Sequence, residues 1–284
     1  MLYFFDLLCY TLAMEEINYK FDTKYTRDSY RLTYHEWQDG ESPHFNRHIH
    51  PFYEILFILE GELEYTVEDR QYLLTPGDVI MIKPTEYHFG RRVIKAPYKR
   101  FCLHFDEEFI KNGRLVQRLF DKGESFKIRD SEFLTSILTL LSDTARDETE
   151  ADEKSNLAAA SSIITTLLVY LDRTLHKRKK SIAQSETNFQ KILNYVNSHL
   201  TKIHSVEDIS EALFFSSSYI MHLFKEEMGV GIMQYIRNKK VLLAHGRIRE
   251  GGKPTEIYTD CGFSNYPTFY RDYRKYFGFS PKQQ

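Results

Sequence analysis

His48 and His50 stand two positions apart, Glu54 lies four residues further on, and His88 follows later in the chain. Along an extended strand successive side chains point to opposite faces, so His48, His50 and Glu54 share one face. A neighbouring strand carrying His88 would close the set. Imidazole nitrogens joined by one carboxylate suit a transition-metal ion. The same four groups equally suit the polar rim of a pocket for a small organic molecule, or a structural hydrogen-bond set. The residues alone leave both open: a metal held by His48, His50, Glu54 and His88, and a metal-free pocket lined by the same four.

A second group of residues does its chemistry by recognition. Its elements occur twice in the last hundred residues. Ile209, Phe215 and Ser216 recur as Ile257, Phe263 and Ser264 at an offset of 48. One extra residue later, Ile220, Phe224, Lys225 and Gly229 recur as Phe269, Tyr273, Arg274 and Gly278. A repeat at fixed period is one supersecondary unit used twice. In the first copy Ser205 and Asp208 form a capping-box start, and Ile209 and Leu213 give the helix its buried face. Ser216 caps the next helix, in which Ile220, Leu223 and Phe224 turn inward. In the second copy Ser264 is the expected cap and Pro267 lies in the first turn, where its missing N–H costs little.

Two short helices joined by a tight turn, the second with a polar outer face, suit the major groove of DNA. The outward residues are then Ser217, Ser218, Met221, His222 and Lys225 in the first unit, and Tyr266, Pro267, Tyr270, Arg271 and Arg274 in the second. Arg271 suits bidentate pairing to guanine, and Met221 an apolar contact to thymine methyl. Lys225 and Arg274, at matching places, suit phosphates.

The front half reads as strands. Phe52–Leu59 is an apolar run ended by Glu60-Gly61, Leu63, Tyr65 and Val67 alternate, and Thr75-Pro-Gly-Asp78 is a turn before Val79–Ile82. Tyr98–Phe105 is a further strand. Such spacing argues for a sandwich or small barrel. Phe133, Ile137, Leu140 and Leu141 then form a helical stripe. After an acidic segment from Asp143 to Glu153, Leu157, Ala160, Ile164, Leu167, Leu168, Leu171 and Leu175 form another. This second stripe either packs on the strands or pairs with a second copy of the chain.

A chain of 284 residues can hold two cores. Its formal charge of −2 is uneven: from Ser181 onward 13 Lys and Arg meet 10 Asp and Glu, which leaves the earlier part at −5. The basic tract His176–Lys180 lies at the join. That balance is compatible with a nucleic-acid partner for the second half and equally with an ordinary solvated surface. Three distant cysteines, Cys9, Cys102 and Cys261, argue against a disulfide framework and for a reducing cytoplasm. No apolar segment is read as membrane-spanning. The apolar first thirteen residues lack a basic start, which disfavours a signal peptide, and Met14 is an alternative start.

Over about residues 188–282 the chain resembles the DNA-binding domain of the AraC/XylS transcription regulators. The resemblance rests on Phe224-Lys225, Gly229, a connecting helix from Tyr235 containing Ala244, Gly262-Phe263-Ser264, and the ending Tyr276-Phe-Gly-Phe-Ser-Pro281. Phe214 stands where the family has a glycine, and Ser210 and Tyr258 where it favours small residues. The motif around His48 is similar to that of cupins; the resemblance to the regulators implies a metal-free ligand pocket there, with no cofactor, and a metal at His48, His50, Glu54 and His88 as the alternative.

The resemblance implies a multidomain chain: an all-β cupin-like sensing barrel over 15–128 and a helical dimerisation segment over 129–178. A linker over 179–187 and an all-α double helix-turn-helix over 188–284 follow, with 1–14 an extended N-terminus. It implies a regulator and no enzyme, bound to double-stranded DNA as a homodimer. It further implies a small-molecule effector, with a carbohydrate as candidate, and RNA polymerase as a further partner. The competing reading is a metal-dependent cupin enzyme, which has no use for a duplicated DNA-reading unit.

Overall fold

In the computed structural model the residues described are 30–37, 47–92, 97–121, 126–128, 131–146, 153–175 and 187–282. The segment 1–14 with Met14, the tract His176–Lys180 and all but the end of the 179–187 linker lie outside them.

The strands are β1 (Arg31–Trp37), β2 (Tyr53–Glu60), β3 (Leu63–Val67), β4 (Arg70–Leu74), β5 (Asp78–Ile82), β6 (His88–Arg92) and β7 (Tyr98–Phe105). Helices α1 (Glu107–Ile110) and α2 (Gly113–Asp121), a short β8 (Phe126–Lys127), α3 (Ser131–Arg146) and α4 (Glu153–Leu175) follow. They form two antiparallel sheets, a five-stranded one in the order β1-β7-β2-β5-β8 and a three-stranded one in the order β4-β3-β6. The expected barrel is thus two facing sheets, with no closed ring of strands among the described residues.

Residue parity sorts the larger sheet into two faces. Leu56, Ile58, Ile80, Ile82 and Cys102 meet Leu63, Tyr65, Val67 and Leu74 of the smaller sheet. Their neighbours Ile55, Phe57, Phe101, Leu103 and Phe105 turn the other way, onto the helices. Burial on both faces is why Ile55–Leu59 of β2 reads as an unbroken apolar run.

The stripe on α4 is spent on this second face. Ala160, Ile164, Leu167, Leu168 and Leu171 are fully buried with Ile55, Phe57 and Leu103. That stripe therefore serves its own chain's core, as the packing alternative had it. Against the expectation of no such segment, Ser155–Thr174 is long and apolar enough to cross a membrane, although its stripe faces the sheet.

The helical region comprises α5 (Asn188–Ser198), α6 (Val206–Leu213), α7 (Ser217–Met228), α8 (Ile232–Arg249), α9 (Pro254–Ile257) and α10 (Tyr266–Phe277). The connecting helix α8 starts three residues before the expected Tyr235. It is buried nearly all round, through Ile232, Tyr235, Ile236, Val241, Leu242, Ala244 and His245, because α5, α7 and α10 pack around it.

Candidate functional site

The two recognition helices are built alike. In the first unit the Asp208 carboxylate accepts from the Ser205 backbone N–H at 3.0 Å, closing one arm of the expected capping box. Ser216 caps α7 by accepting from the Tyr219 N–H at 3.2 Å. In α10 the cap is Asn265, which accepts from the Thr268 N–H at 2.9 Å, and Ser264 is not. Both helices end on a glycine in the left-handed region, Gly229 (φ 67°) and Gly278 (φ 80°). Ile220, Phe224 and Met228 bury one face of α7, and Phe269, Tyr273 and Phe277 that of α10.

The opposite faces are free of the core. Ser218, Met221, His222 and Lys225 are exposed, and Ser217 is half-buried near Glu207. Pro267, Arg271 and Arg274 are exposed on α10. Tyr266 and Tyr270 are only half out, because Tyr266 packs on Tyr258 and Phe269. The Tyr258 ring, at a place that favours small residues, is thus accommodated edge-on against Tyr266 at 5.7 Å.

The second constellation lies between the sheets. The His48–His88 bridge joins the backbones through reciprocal hydrogen bonds of 3.1 and 3.0 Å. Glu54 enters from β2. Its Oε2 lies 2.7 Å from His50 Nε2, 3.1 Å from His88 Nε2 and 3.4 Å from His104 Nε2. The four expected residues do come together, with their donor atoms all within 4.8 Å of one another.

Two members were missed. His104 pairs with Glu54 across β2 and β7, and Cys102, two residues earlier, places its thiol 3.3 Å from Glu54 Oε1. The strand containing them was legible, but its register against β2 was not, and only register puts His104 opposite Glu54.

The cluster is nearly dry: Glu54 and His50 are 3% exposed and His88 is fully buried. Burial pushes the His50 imidazole down to about 4 against the pull of Glu54. Burial alone would raise the Glu54 carboxyl, but the imidazoles of His88, His104 and His50 overrule it and hold the group well below the usual carboxylate range. Desolvation raises the Cys102 thiol, with the Glu54 charge adding to it. The result is an anion ringed by imidazoles, able to hold a cation or to hydrogen-bond a small polar molecule.

Comparison with known proteins gives the two domains their class. The AraC-like ligand-binding domain model matches residues 31–168, and a helix-turn-helix domain model matches 209–284. The probable transcriptional regulator LumQ of Photobacterium leiognathi is 27% identical over 82% of this chain and 89% of its own length. The uncharacterized HTH-type transcriptional regulator YfiF of Bacillus subtilis is 25% identical over 81% of this chain and 76% of its own. Fatty-acid-bound ToxT of Vibrio cholerae shares 14% identity, covers 90% of this chain and 94% of its own, and has a TM-score of 0.38.

A ligand-binding domain joined to a duplicated DNA-binding unit defines a transcription regulator. The chain belongs to the AraC-type regulators.

Proposed function

We propose that the chain reads DNA through the exposed faces of α7 and α10 and answers to an effector held by His48, His50, Glu54 and His88, with His104 and Cys102. The observation that carries this reading is the contrast in exposure. Met221, His222, Lys225, Arg271 and Arg274 are exposed on the two recognition helices, while His50, Glu54, His88, His104 and Cys102 are buried inside the β domain. It works as a regulator and not as an enzyme, in the cytoplasm where its DNA is. A homodimer, contact with RNA polymerase and a carbohydrate effector complete the reading by family likeness alone.

Selection of duplexes from a random pool tests it. A site with two half-sites about one helical turn, roughly 10 base pairs, apart is expected. A single half-site, or no preference among sequences, would refute the two-helix reading. Sedimentation of the free protein decides the homodimer.

A transition-metal ion as the occupant has a specific observation in its favour. A neutral imidazole has one N–H, yet His50 faces two acceptors, the Phe52 carbonyl at 3.1 Å and Glu54 at 2.7 Å. One of these contacts lacks a proton, and a cation among the nitrogens would resolve the conflict. His88 Nδ1 is likewise held by the Glu86 carbonyl at 2.8 Å, the kind of outer hydrogen bond that orients a metal-ligating imidazole. Elemental analysis of purified protein beside its His50→Ala variant decides the occupant. About one ion per chain, lost in the variant, establishes the metal; an ion-free wild type returns the site to the organic effector.

A further inference from the structure

The residues that form the buried cluster alternate with residues that grip the helical domain. Between Arg47 and His50, His48 and His50 contribute to the cluster, while Ile49, 6% exposed, belongs to the same buried core as Phe224, Tyr235 and Phe269. The Ile49 carbonyl accepts from the Tyr276 hydroxyl, in the last turn of α10, at 2.6 Å. Arg47 lies so close to Gly229, at the C-terminal end of α7, that any Cβ there would overlap its guanidinium. One stretch of four residues therefore touches the ends of both recognition helices.

The pattern repeats at the second segment. His88 enters the cluster, and its predecessor Tyr87 stacks on Tyr235 at 4.9 Å and accepts from Asn238 at 2.6 Å. Beside it, the Glu68 carboxylate accepts from Tyr235 at 2.6 Å and from Lys239 at 2.9 Å.

We propose that Arg47–His50 is a strap that couples occupancy of the cluster to the setting of α7 and α10 against each other, and so to the half-site spacing the protein accepts. This rests on the reading of the cluster as the effector site. The mechanical reason is parity. His48 and His50 cannot shift without carrying Arg47 and Ile49 with them, and a close-packed interior transmits such a displacement. The duplex then registers it, because its two half-sites have a fixed separation and rotation.

The test needs no known effector, since Glu54→Gln keeps the side chain's size and removes the charge that the imidazoles surround. Affinity is measured for the duplex selected by wild type and for the same duplex with one base pair inserted between half-sites. The proteins are wild type, Glu54→Gln, Tyr276→Phe and the double variant, each checked for its fold by circular dichroism.

Tyr276→Phe should shrink the preference for the selected spacing about fivefold, the worth of one hydrogen bond. It should also abolish most of the effect of Glu54→Gln. If Glu54→Gln alters affinity equally with and without the Tyr276 hydroxyl, the strap is overturned while the effector reading stands. If Glu54→Gln alters nothing, the strap is overturned as well, and the elemental analysis above judges the cluster by itself. Should Tyr276→Phe fail to fold, Arg47→Gln takes its place in the same cycle with the same two outcomes.

Discussion

Arg271 projects from the exposed face of α10, and its nearest ion-pair contact is a long 3.8 Å to Asp272. So weak a tether leaves the guanidinium available to the groove, where it can meet guanine O6 and N7 together. Arg271→Ala should cost about 1–3 kcal/mol on the selected duplex and relax the preference at one base position. A uniform loss over all sequences would make it a phosphate contact instead. Lys225 and Arg274 are exposed at matching places. Replacing either by Ala should shallow the slope of log affinity against log salt by roughly one unit. An unchanged slope would leave that side chain in solvent. The exposure of these three side chains was legible from the repeat, because helical spacing alone decides which residues escape the core. The contributions of His104 and Cys102 to the other site were not, since a sequence fixes a strand's parity and leaves its partner's register open.

At the scale of elements, the turn between α6 and α7 shows what a departure from the family costs. Phe214 closes α6 with φ 57° and ψ 32°, the left-handed region that a Cβ disfavours, and its ring is 93% exposed. Neither strain nor exposure is offset by packing. Phe214→Gly should raise stability by up to about 1 kcal/mol, the left-handed penalty less the entropy that glycine adds to the unfolded chain. Chemical denaturation measures it, and a loss of stability would mean that the ring has a partner in solution. The strand pattern was readable because apolar runs and Gly/Pro turns bracket β2 to β5. The strand β1 was not, since Arg31–Trp37 has no such run and, among the described residues, is an edge strand paired only with β7. The stripe on α4 was visible but its partner was ambiguous. A face of leucines fits a sheet or a second helix equally well, and only the assembled core decides between them. The first helix of the second unit is shorter than its counterpart α6. It is only α9, Pro254–Ile257, before the chain turns through Gly262, whose φ of 82° and closeness to the Thr201 backbone admit no side chain.

At the scale of the molecule, both halves keep buried imidazoles that the fold holds neutral, and this sets how acid acts on the whole. In the β domain burial pushes His50 to about 4, and partial burial aided by Arg100 and Arg31 pushes the half-buried His35 to about 3. In the helical domain, burial aided by Arg249 pushes His245 to about 3, where its ring accepts or donates to the Tyr273 hydroxyl at 2.9 Å. In the unfolded chain each of these rings takes up its proton near the ordinary value of about 6.5. Between that value and the folded one the unfolded state binds more protons, so stability falls as pH falls. The loss begins near 6.5 and runs to about 4 for His50 and about 3 for the other two. Glu54 acts in the same direction, since its depressed carboxyl loses its contribution only below the usual carboxylate range. The domains should weaken together, because the buried Lys239–Glu68 pair at 2.9 Å ties one to the other. We therefore expect the urea midpoint to drop steadily from about pH 7 to about pH 5. His245→Gln, which cannot take up a proton, should flatten part of that slope while leaving the share of His50 and His35. A midpoint constant over this interval would show that the buried imidazoles already share their protons in the native state. An acid loss much steeper than three rings supply, and relieved by added zinc, would instead mark protons competing with an ion for the cluster.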